Sequence, residues 1–184
     1  MPIGDTPGWH QIFTENFAVD VPVGSFPGSM YSSKWTVYPD GWQDTSKNGT
    51  YYPSKVLSVQ NGVLNMYLHT ENGVHMVSAP EPILQPGPHD YGSGLLYGRY
   101  TVRFRADPIA GYKTAWLLWP DSEAWPRDGE IDFPEGDLNS TINAFMHWQN
   151  GISGNSQDAY STSTTYNSWH TATIEWLPAS LTFI

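Results

Sequence analysis

No long stretch of this sequence carries apolar residues at the three- and four-residue spacing of a helix. Short runs of β-branched and aromatic residues alternate instead with turn formers, since the 184 residues include 17 glycines and 15 prolines. This pattern is typical of many short strands joined by turns. We therefore expect an all-β fold, a sandwich of two stacked antiparallel sheets whose concave face carries the functional site.

The length of the chain fits one domain with a sizeable core. No repeat, Gly/Ser linker or low-complexity tract divides the sequence, so residues 1–184 are predicted to form a single domain. Residues 152–167 are rich in Ser, Thr, Asn and Gly, and they predict a loop or irregular hairpin beside the cleft.

Residues 130–135 (EIDFPE) place three carboxyl groups on a stretch that otherwise has the composition of a strand. Side chains alternate between the two faces of a strand, so Glu130 and Asp132 point the same way. Strict alternation would turn Glu135 to the other face. A β-bulge at Phe133-Pro134 would return it, and proline suits a position that donates no ladder hydrogen bond. The sequence therefore predicts three carboxyl groups on one face.

Two carboxyl groups on opposite sides of a bond are the equipment for glycoside hydrolysis, and retaining enzymes hold them about 5–5.5 Å apart. With the bulge, the backbones of Glu130 and Glu135 lie roughly 13 Å apart, a gap that two inward-leaning side chains can largely close. Asp132 lies between them and is expected to hydrogen-bond a neighbouring carboxyl. Three close carboxyl groups do not all ionise cheaply, so at least one should hold a proton near neutral pH, as a general acid must.

Further motifs surround this run and extend over most of the chain. Here the sequence resembles glycoside hydrolase family 16, whose members carry a pattern similar to W-P-x-x-G-E-[IL]-D-[IF]-x-E around the catalytic strand. The matching segments are residues 125–135 (WPRDGEIDFPE), 116–120 (WLLWP), 8–17 (GWHQIFTENF), 61–64 (NGVL) and 97–103 (YGRYTVR). The bulged form of the motif resembles the laminarinase, agarase and carrageenase branches, although Pro134 stands where an aliphatic residue or methionine is commoner.

The resemblance implies a β-jelly roll and a role for each carboxyl group. It makes Glu130 the nucleophile, Glu135 the general acid/base and Asp132 the assisting carboxylate between them. It also implies a histidine near the position of His147, which we expect beside Glu135, bonded to that carboxyl or to a sugar hydroxyl. A structural imidazole satisfied by the backbone is an equally good interpretation of His147.

Aromatic side chains make up 15% of the chain and can stack on sugar rings or fill a core. We predict substrate contacts for Trp116 and Trp119, from the strand before the catalytic one, and above all for Trp125 in its entry loop. Arg99 is expected to contact substrate or an acidic neighbour. Core packing is the expectation for the tryptophans in strand-like runs: Trp9, Trp35, Trp169 and Trp176.

The formal net charge of −10 disfavours nucleic acid and anionic membranes as partners, because binding to both relies on basic patches. It also disfavours strongly sulfated polymers unless basic residues cluster locally. A neutral polysaccharide fits better. The chain has no cysteine, and no run of about twenty apolar residues predicts a transmembrane helix. No signal peptide is recognisable before Met1, and an extracellular location is implied by the resemblance alone.

The sequence predicts a retaining endo-glycosidase acting on a β-linked polysaccharide, most favourably a β-1,3-glucan and next a galactan such as agar. Two alternatives stay open: a glycan-binding module on the same sandwich, and a metal protein that uses the carboxyl groups with His147 as ligands. No cofactor is required for the predicted reaction, and a structural calcium ion is expected only by analogy with some relatives. Family members continue with further strands, so we expect that the last strands are missing or are supplied by a complementing chain.

Overall fold

The computed structural model describes residues 3–152 and 156–184, and the chain forms two compact units, Met1–Ser93 and Gly94–Ile184. Within the described ranges regular structure is almost entirely β, and the two helices, α1 (Gly28–Tyr31) and α2 (Pro53–Val56), are single turns. No helix in this part of the chain is long and apolar enough to cross a membrane. The predicted all-β fold with several antiparallel sheets is confirmed. The single domain stays a prediction.

The first unit contains seven short strands. They form a β1-β7 pair, a β3-β4 pair and a three-stranded sheet of order β2-β6-β5 in which β2 runs parallel to β6. The strands are β1 (Trp35–Val37), β2 (Gly49–Tyr51), β3 (Leu57–Gln60), β4 (Val63–Met66), β5 (His69–Glu71), β6 (Val74–Val77) and β7 (Pro80–Pro82).

Asn61 and Gly62 form the tight turn that links β3 and β4. Both residues have positive φ, 55° and 75°, and the flanking residues Gln60 and Val63 are paired. A two-residue hairpin of type I′ needs positive φ at both positions, which Asn and Gly tolerate best. The core beside this hairpin contains the predicted Trp35, with Val21, Phe26, Tyr31, Val56, Leu57, Val59 and Met76.

The second unit consists of two antiparallel sheets. One has the order β12-β11-β10-β9 and the other the order β14-β13-β8. The strands are β8 (Gly98–Phe104), β9 (Lys113–Leu118), β10 (Glu130–Asp137), β11 (Thr141–His147), β12 (Gln157–Thr165), β13 (His170–Leu177) and β14 (Ser180–Phe183).

The two sheets of the second unit pack against each other through apolar side chains. Phe133 of β10 meets Phe183 of β14 edge to face, with ring centroids 5.3 Å apart. The buried residues around this contact come from both sheets and include Ile131, Ile142, Ala144, Ala172 and Ile174. The outward faces of the two sheets therefore lie on opposite sides of this unit.

The sequence predicts a loop or an irregular hairpin over residues 152–167. A loop is wrong for most of this length, because residues 157–165 form β12 at the edge of the larger sheet; they are one arm of a hairpin with β11 whose register is irregular. Residues 153–155 lie outside the described part of the chain. Most side chains of β12 are exposed on both faces, so the strand carries no apolar alternation that could identify it. Hydrogen bonding to β11 holds these residues in a strand that their own sequence does not predict.

Candidate active site

A bulge in β10 brings the three predicted carboxyl groups to one face. The partners of these residues lie on the neighbouring strand β11: His147 pairs with Glu130, Phe145 with Asp132 and Asn143 with Glu135. The partners are spaced two apart and share a face of β11, so the three acidic residues share that face as well. Two residues of β10 stand opposite one of β11, and the register to β9 shifts at the same point. The bulge predicted at residues 133 and 134 is confirmed.

The two bulged residues explain why the sequence folds this way. Pro134 is fully buried, and it has no backbone N–H whose ladder partner would be lost. Phe133 packs on the opposite sheet. Gly129, just before the strand, has φ of +79°, and a Cβ there would lie 2.9 Å from the carbonyl oxygen of His147. Any other residue would push the end of β11 away from Glu130.

His147 joins the carboxyl cluster at the start of β10. Its Nε2 lies 3.4 Å from Asp132 Oδ2 and 3.8 Å from Glu130 Oε2, and all three side chains are largely shielded from solvent. The prediction placed His147 beside Glu135, and this is wrong. Because β10 and β11 run antiparallel, the last residue of β11 faces the first residue of β10 instead.

Asp132 is the most buried of the three carboxyl groups. Burial, followed by the charges of Glu130 and Glu135, raises its pKa to about 9, and Lys113 opposes the rise only weakly. Neither carboxyl oxygen of Asp132 has a donor among the described residues. A proton on Asp132 agrees with the raised pKa and with the absence of a donor, because the neutral acid then donates a hydrogen bond to the Glu130 carboxylate. That at least one of the three carboxyl groups holds a proton stays a prediction, and the raised pKa favours Asp132 as the group that holds it.

Glu130 is less buried than Asp132, and burial also raises its pKa. Hydrogen bonds from Asp132 and Trp125 and the nearby His147 favour the charged form and limit the rise. Since the two acids interact, their titrations belong to the pair and not to either residue alone. The arrangement keeps Glu130 the more readily ionised member.

Glu135 lies on the same face but has a different neighbour. Lys113 Nζ is 3.7 Å from Glu135 Oε1, and the lysine side chain is 61% exposed. Lys113 could not be recognised from the sequence, because its place depends on the register of β9 against the bulged strand. In that register Ala115 faces Glu135, and Lys113 lies two residues away on the same face.

Trp125 is brought to the carboxyl cluster, as predicted. Its ring contacts His147 edge to face at 5.8 Å, and 38% of its surface is exposed. Trp119 is similarly exposed, and its indole N–H donates to Glu123 Oε2 at 2.9 Å. Both can offer a ring surface to a ligand, although their substrate contacts stay predictions.

Two other predicted substrate residues are not brought to the carboxyl face. Leu117 pairs with Asp132, so its neighbour Trp116 points to the opposite face of β9, where the core lies. Arg99 belongs to the other sheet, and its Nε is 3.0 Å from Glu175 Oε1. The acidic neighbour allowed for Arg99 is confirmed, and the geometry supports no substrate contact for either residue.

The same cluster has the ligand types of a cation site. One ligand atom from each of Glu130, Asp132 and His147 lies within 4.8 Å of the others, a separation that a single ion could bridge. A cation there would displace the proton on Asp132. Glu135 is not part of this group.

A family model described as Glycosyl hydrolases family 16 matches residues 90–184, just over half of the chain. A search of curated protein sequences found no match. Among solved structures, SCLam, a non-specific endo-beta-1,3(4)-glucanase from family GH16, has a TM-score of 0.69 at 17% identity, over 100% of this chain and 71% of its own.

Two further structures are similar. A laminarinase from Flavobacterium sp. UMI-01 has a TM-score of 0.64 at 17% identity and covers 92% of this chain and 72% of its own. Rv0315, an immunostimulatory antigen and pseudo beta-1,3-glucanase of Mycobacterium tuberculosis, has a TM-score of 0.66 at 21% identity. The match covers 92% of this chain and 69% of the Rv0315 chain. At these identities the likeness establishes the fold.

The all-β fold and the bulged strand with its three carboxyl groups define a glycoside hydrolase. Because the family model matches more than half of the sequence, the chain belongs to glycosyl hydrolase family 16. The resemblance seen in the sequence motifs is therefore confirmed.

Proposed function

We propose that the protein is a retaining endo-glycosidase that cleaves a β-linked polysaccharide, with a β-1,3-glucan as the first candidate and a galactan as the second. The observation that carries this proposal is the bulge, which places Glu130, Asp132 and Glu135 on one face. Double displacement uses two carboxyl groups, a nucleophile and an acid/base, and we assign these roles to Glu130 and Glu135, with Asp132 between them.

In the first step the Glu130 carboxylate attacks the anomeric carbon, and Glu135 gives its proton to the leaving glycosidic oxygen. The bond to the leaving sugar breaks as the glycosyl ester on Glu130 forms. In the second step Glu135, now ionised, takes a proton from water, and the hydroxide oxygen displaces Glu130 from the anomeric carbon. Each proton that Glu135 donates is recovered from water.

Asp132 acts on this reaction through Glu130. The neutral acid donates a hydrogen bond to one oxygen of the Glu130 carboxylate, which leaves the other oxygen free to attack. His147 Nε2, within 4 Å of both groups, stabilises the negative charge on the pair when the ring is protonated. No step needs a cofactor, so chelation with EDTA should leave the rate unchanged. A structural calcium ion elsewhere stays a prediction.

The substrate class rests on the family and on the neighbours' descriptions as a β-1,3(4)-glucanase and a laminarinase. Exposed Trp119 and Trp125 supply flat surfaces for sugar rings near the carboxyl groups. Polysaccharides of this kind lie outside cells, so an extracellular location belongs to the same proposal. A complementing chain that supplies further strands stays a prediction.

A second candidate function is glycan binding without cleavage. It is favoured by one observation, since the similar protein Rv0315 is described as a pseudo β-1,3-glucanase. The retained set of three carboxyl groups favours catalysis for this chain, because a binding module has no need to hold them together.

The test is release of reducing sugar from laminarin, mixed-linkage glucan, agarose and arabinogalactan by the purified chain. Glu130→Gln should lower the rate by a thousandfold or more, on the order of the losses seen for other nucleophiles. Glu71→Gln, which changes a partly exposed glutamate of the first unit that pairs with Lys55, is the matched control and should leave the rate unchanged.

Undiminished activity of Glu130→Gln would refute the mechanism. A wild-type chain that is folded by circular dichroism and binds a polysaccharide without cleaving it would establish the binding function instead.

A further inference from the structure

A cluster of unpaired cations lies on the sheet that does not carry the carboxyl groups. Five of the eight lysines and arginines have a carboxylate within 4.0 Å, namely Lys34, Lys55, Arg99, Lys113 and Arg127. Among the described residues the other three, Lys47, Arg103 and Arg105, have no acidic partner. Two of these three meet on one exposed tryptophan.

That tryptophan is Trp169, which precedes β13 and is 41% exposed, contrary to the core position that its sequence context predicted. The guanidinium of Arg103 lies 4.6 Å from the centre of its ring and that of Arg105 lies 5.6 Å away. Such contacts are attractive and hold the guanidinium groups in place. Their N–H groups remain available for another acceptor, because a guanidinium that stacks on a ring donates in its own plane.

The face that carries this cluster is polar, and both arginines on it are exposed. Arg103 and Arg105 alternate along the chain with buried Phe104, so both side chains lie on the outward side of the β14-β13-β8 sheet. Thr171 pairs with Arg103, and the hydroxyls of Thr101 and Thr173 are 2.9 Å apart on the same side. The carboxyl cluster faces outward from the other sheet, on the far side of this unit.

We propose that Arg103, Arg105 and Trp169 form a surface site for a uronate-bearing polysaccharide, separate from the catalytic face. Two guanidinium forks match carboxylates in plane, and the ring of Trp169 adds an apolar surface for a sugar. The net charge of −10 disfavours any polyanion unless cations cluster locally, and Arg103 and Arg105 supply such a cluster for a polymer of carboxylates. This proposal does not depend on the catalytic activity.

The experiment is affinity electrophoresis of the whole chain through gels that contain polygalacturonate, with laminarin gels as the neutral comparison. Arg103→Gln and Arg105→Gln should each weaken retardation by polygalacturonate at least about tenfold, since a charged hydrogen bond is lost. Lys47→Gln removes the same charge from the third unpaired cation and should change nothing. Arg103→Lys keeps the positive charge but loses the planar pair of N–H donors, so this variant should bind polygalacturonate more weakly than the wild type.

Binding to laminarin should be equal in all variants, which distinguishes this site from the catalytic cleft. Equal losses for Lys47→Gln and Arg103→Gln would show attraction to the overall charge and overturn the proposal. Absence of retardation by polygalacturonate would also overturn it, as would stronger binding to dextran sulfate or single-stranded DNA that depends on the same arginines.

Discussion

Replacing Asp132 by asparagine should change how the stability of the protein depends on pH. Folding raises the pKa of Asp132 from its ordinary 3.8 to about 9, chiefly by burial. Between these values the folded chain therefore holds a proton that the unfolded chain has released. Stability from this group is complete below the lower value and is lost as the pH rises toward the upper one. Asparagine does not titrate, so the variant lacks this loss.

The size of the effect follows from one proton. Each pH unit in this window lowers the unfolding free energy of the wild type by about 1.4 kcal/mol. From about pH 5 to about pH 8 the wild type should lose at most about 4 kcal/mol more than Asp132→Asn. Asparagine can also donate a hydrogen bond to Glu130, so the variant should fold and be the more stable protein at the upper end.

The assay is urea unfolding of both proteins at several pH values across this window, followed by tryptophan fluorescence. Asp137→Asn, an exposed residue on the same strand, is the matched control and should follow the wild type. A constant difference in unfolding free energy between the wild type and Asp132→Asn at every pH would show that Asp132 is ionised in the folded protein. The shared proton would then be wrong.

Three further predictions concern the catalytic strand and its surroundings. Glu135→Ala should lose activity on polysaccharide but still release a burst of phenol from aryl glycosides with an acidic phenol, because that leaving group needs no proton in the first step, whereas the second step still needs Glu135 as the base. Absence of the burst would contradict the acid role. Trp125→Ala should raise KM severalfold through lost ring contact, measured by steady-state kinetics, and an unchanged KM would remove Trp125 from the cleft. Phe133→Ala should lower the unfolding free energy by about 2–3 kcal/mol, measured in urea, because it empties the contact with Phe183; no loss would refute the packing role.

The carboxyl face could be predicted from the sequence because it depends on local rules. Alternation along a strand and one extra residue decide where Glu130, Asp132 and Glu135 point, and both can be inferred from six neighbouring residues. The same rule also shows why one tryptophan was misplaced. Trp116 and Trp119 are three residues apart, so a strand cannot present both to one face, and the register selects the face away from Trp116.

Other features depend on pairing between distant segments, which one sequence does not indicate. Arg99 meets Glu175 only because β8 pairs with β13, more than sixty residues further along the chain. His147 faces Glu130, and not Glu135, because of the direction and register of the hairpin. Trp169 has the context of a core residue, but its position opposite Arg103 and Arg105 leaves it in solvent.

The most direct test of the central claim is proton NMR of the first product released from the polysaccharide that the reducing-sugar assay selects. Double displacement through Glu130 predicts that the β-anomer of the new reducing end appears first and then equilibrates with the α-anomer. Appearance of the α-anomer first would show a single displacement by water and contradict the role assigned to Glu130.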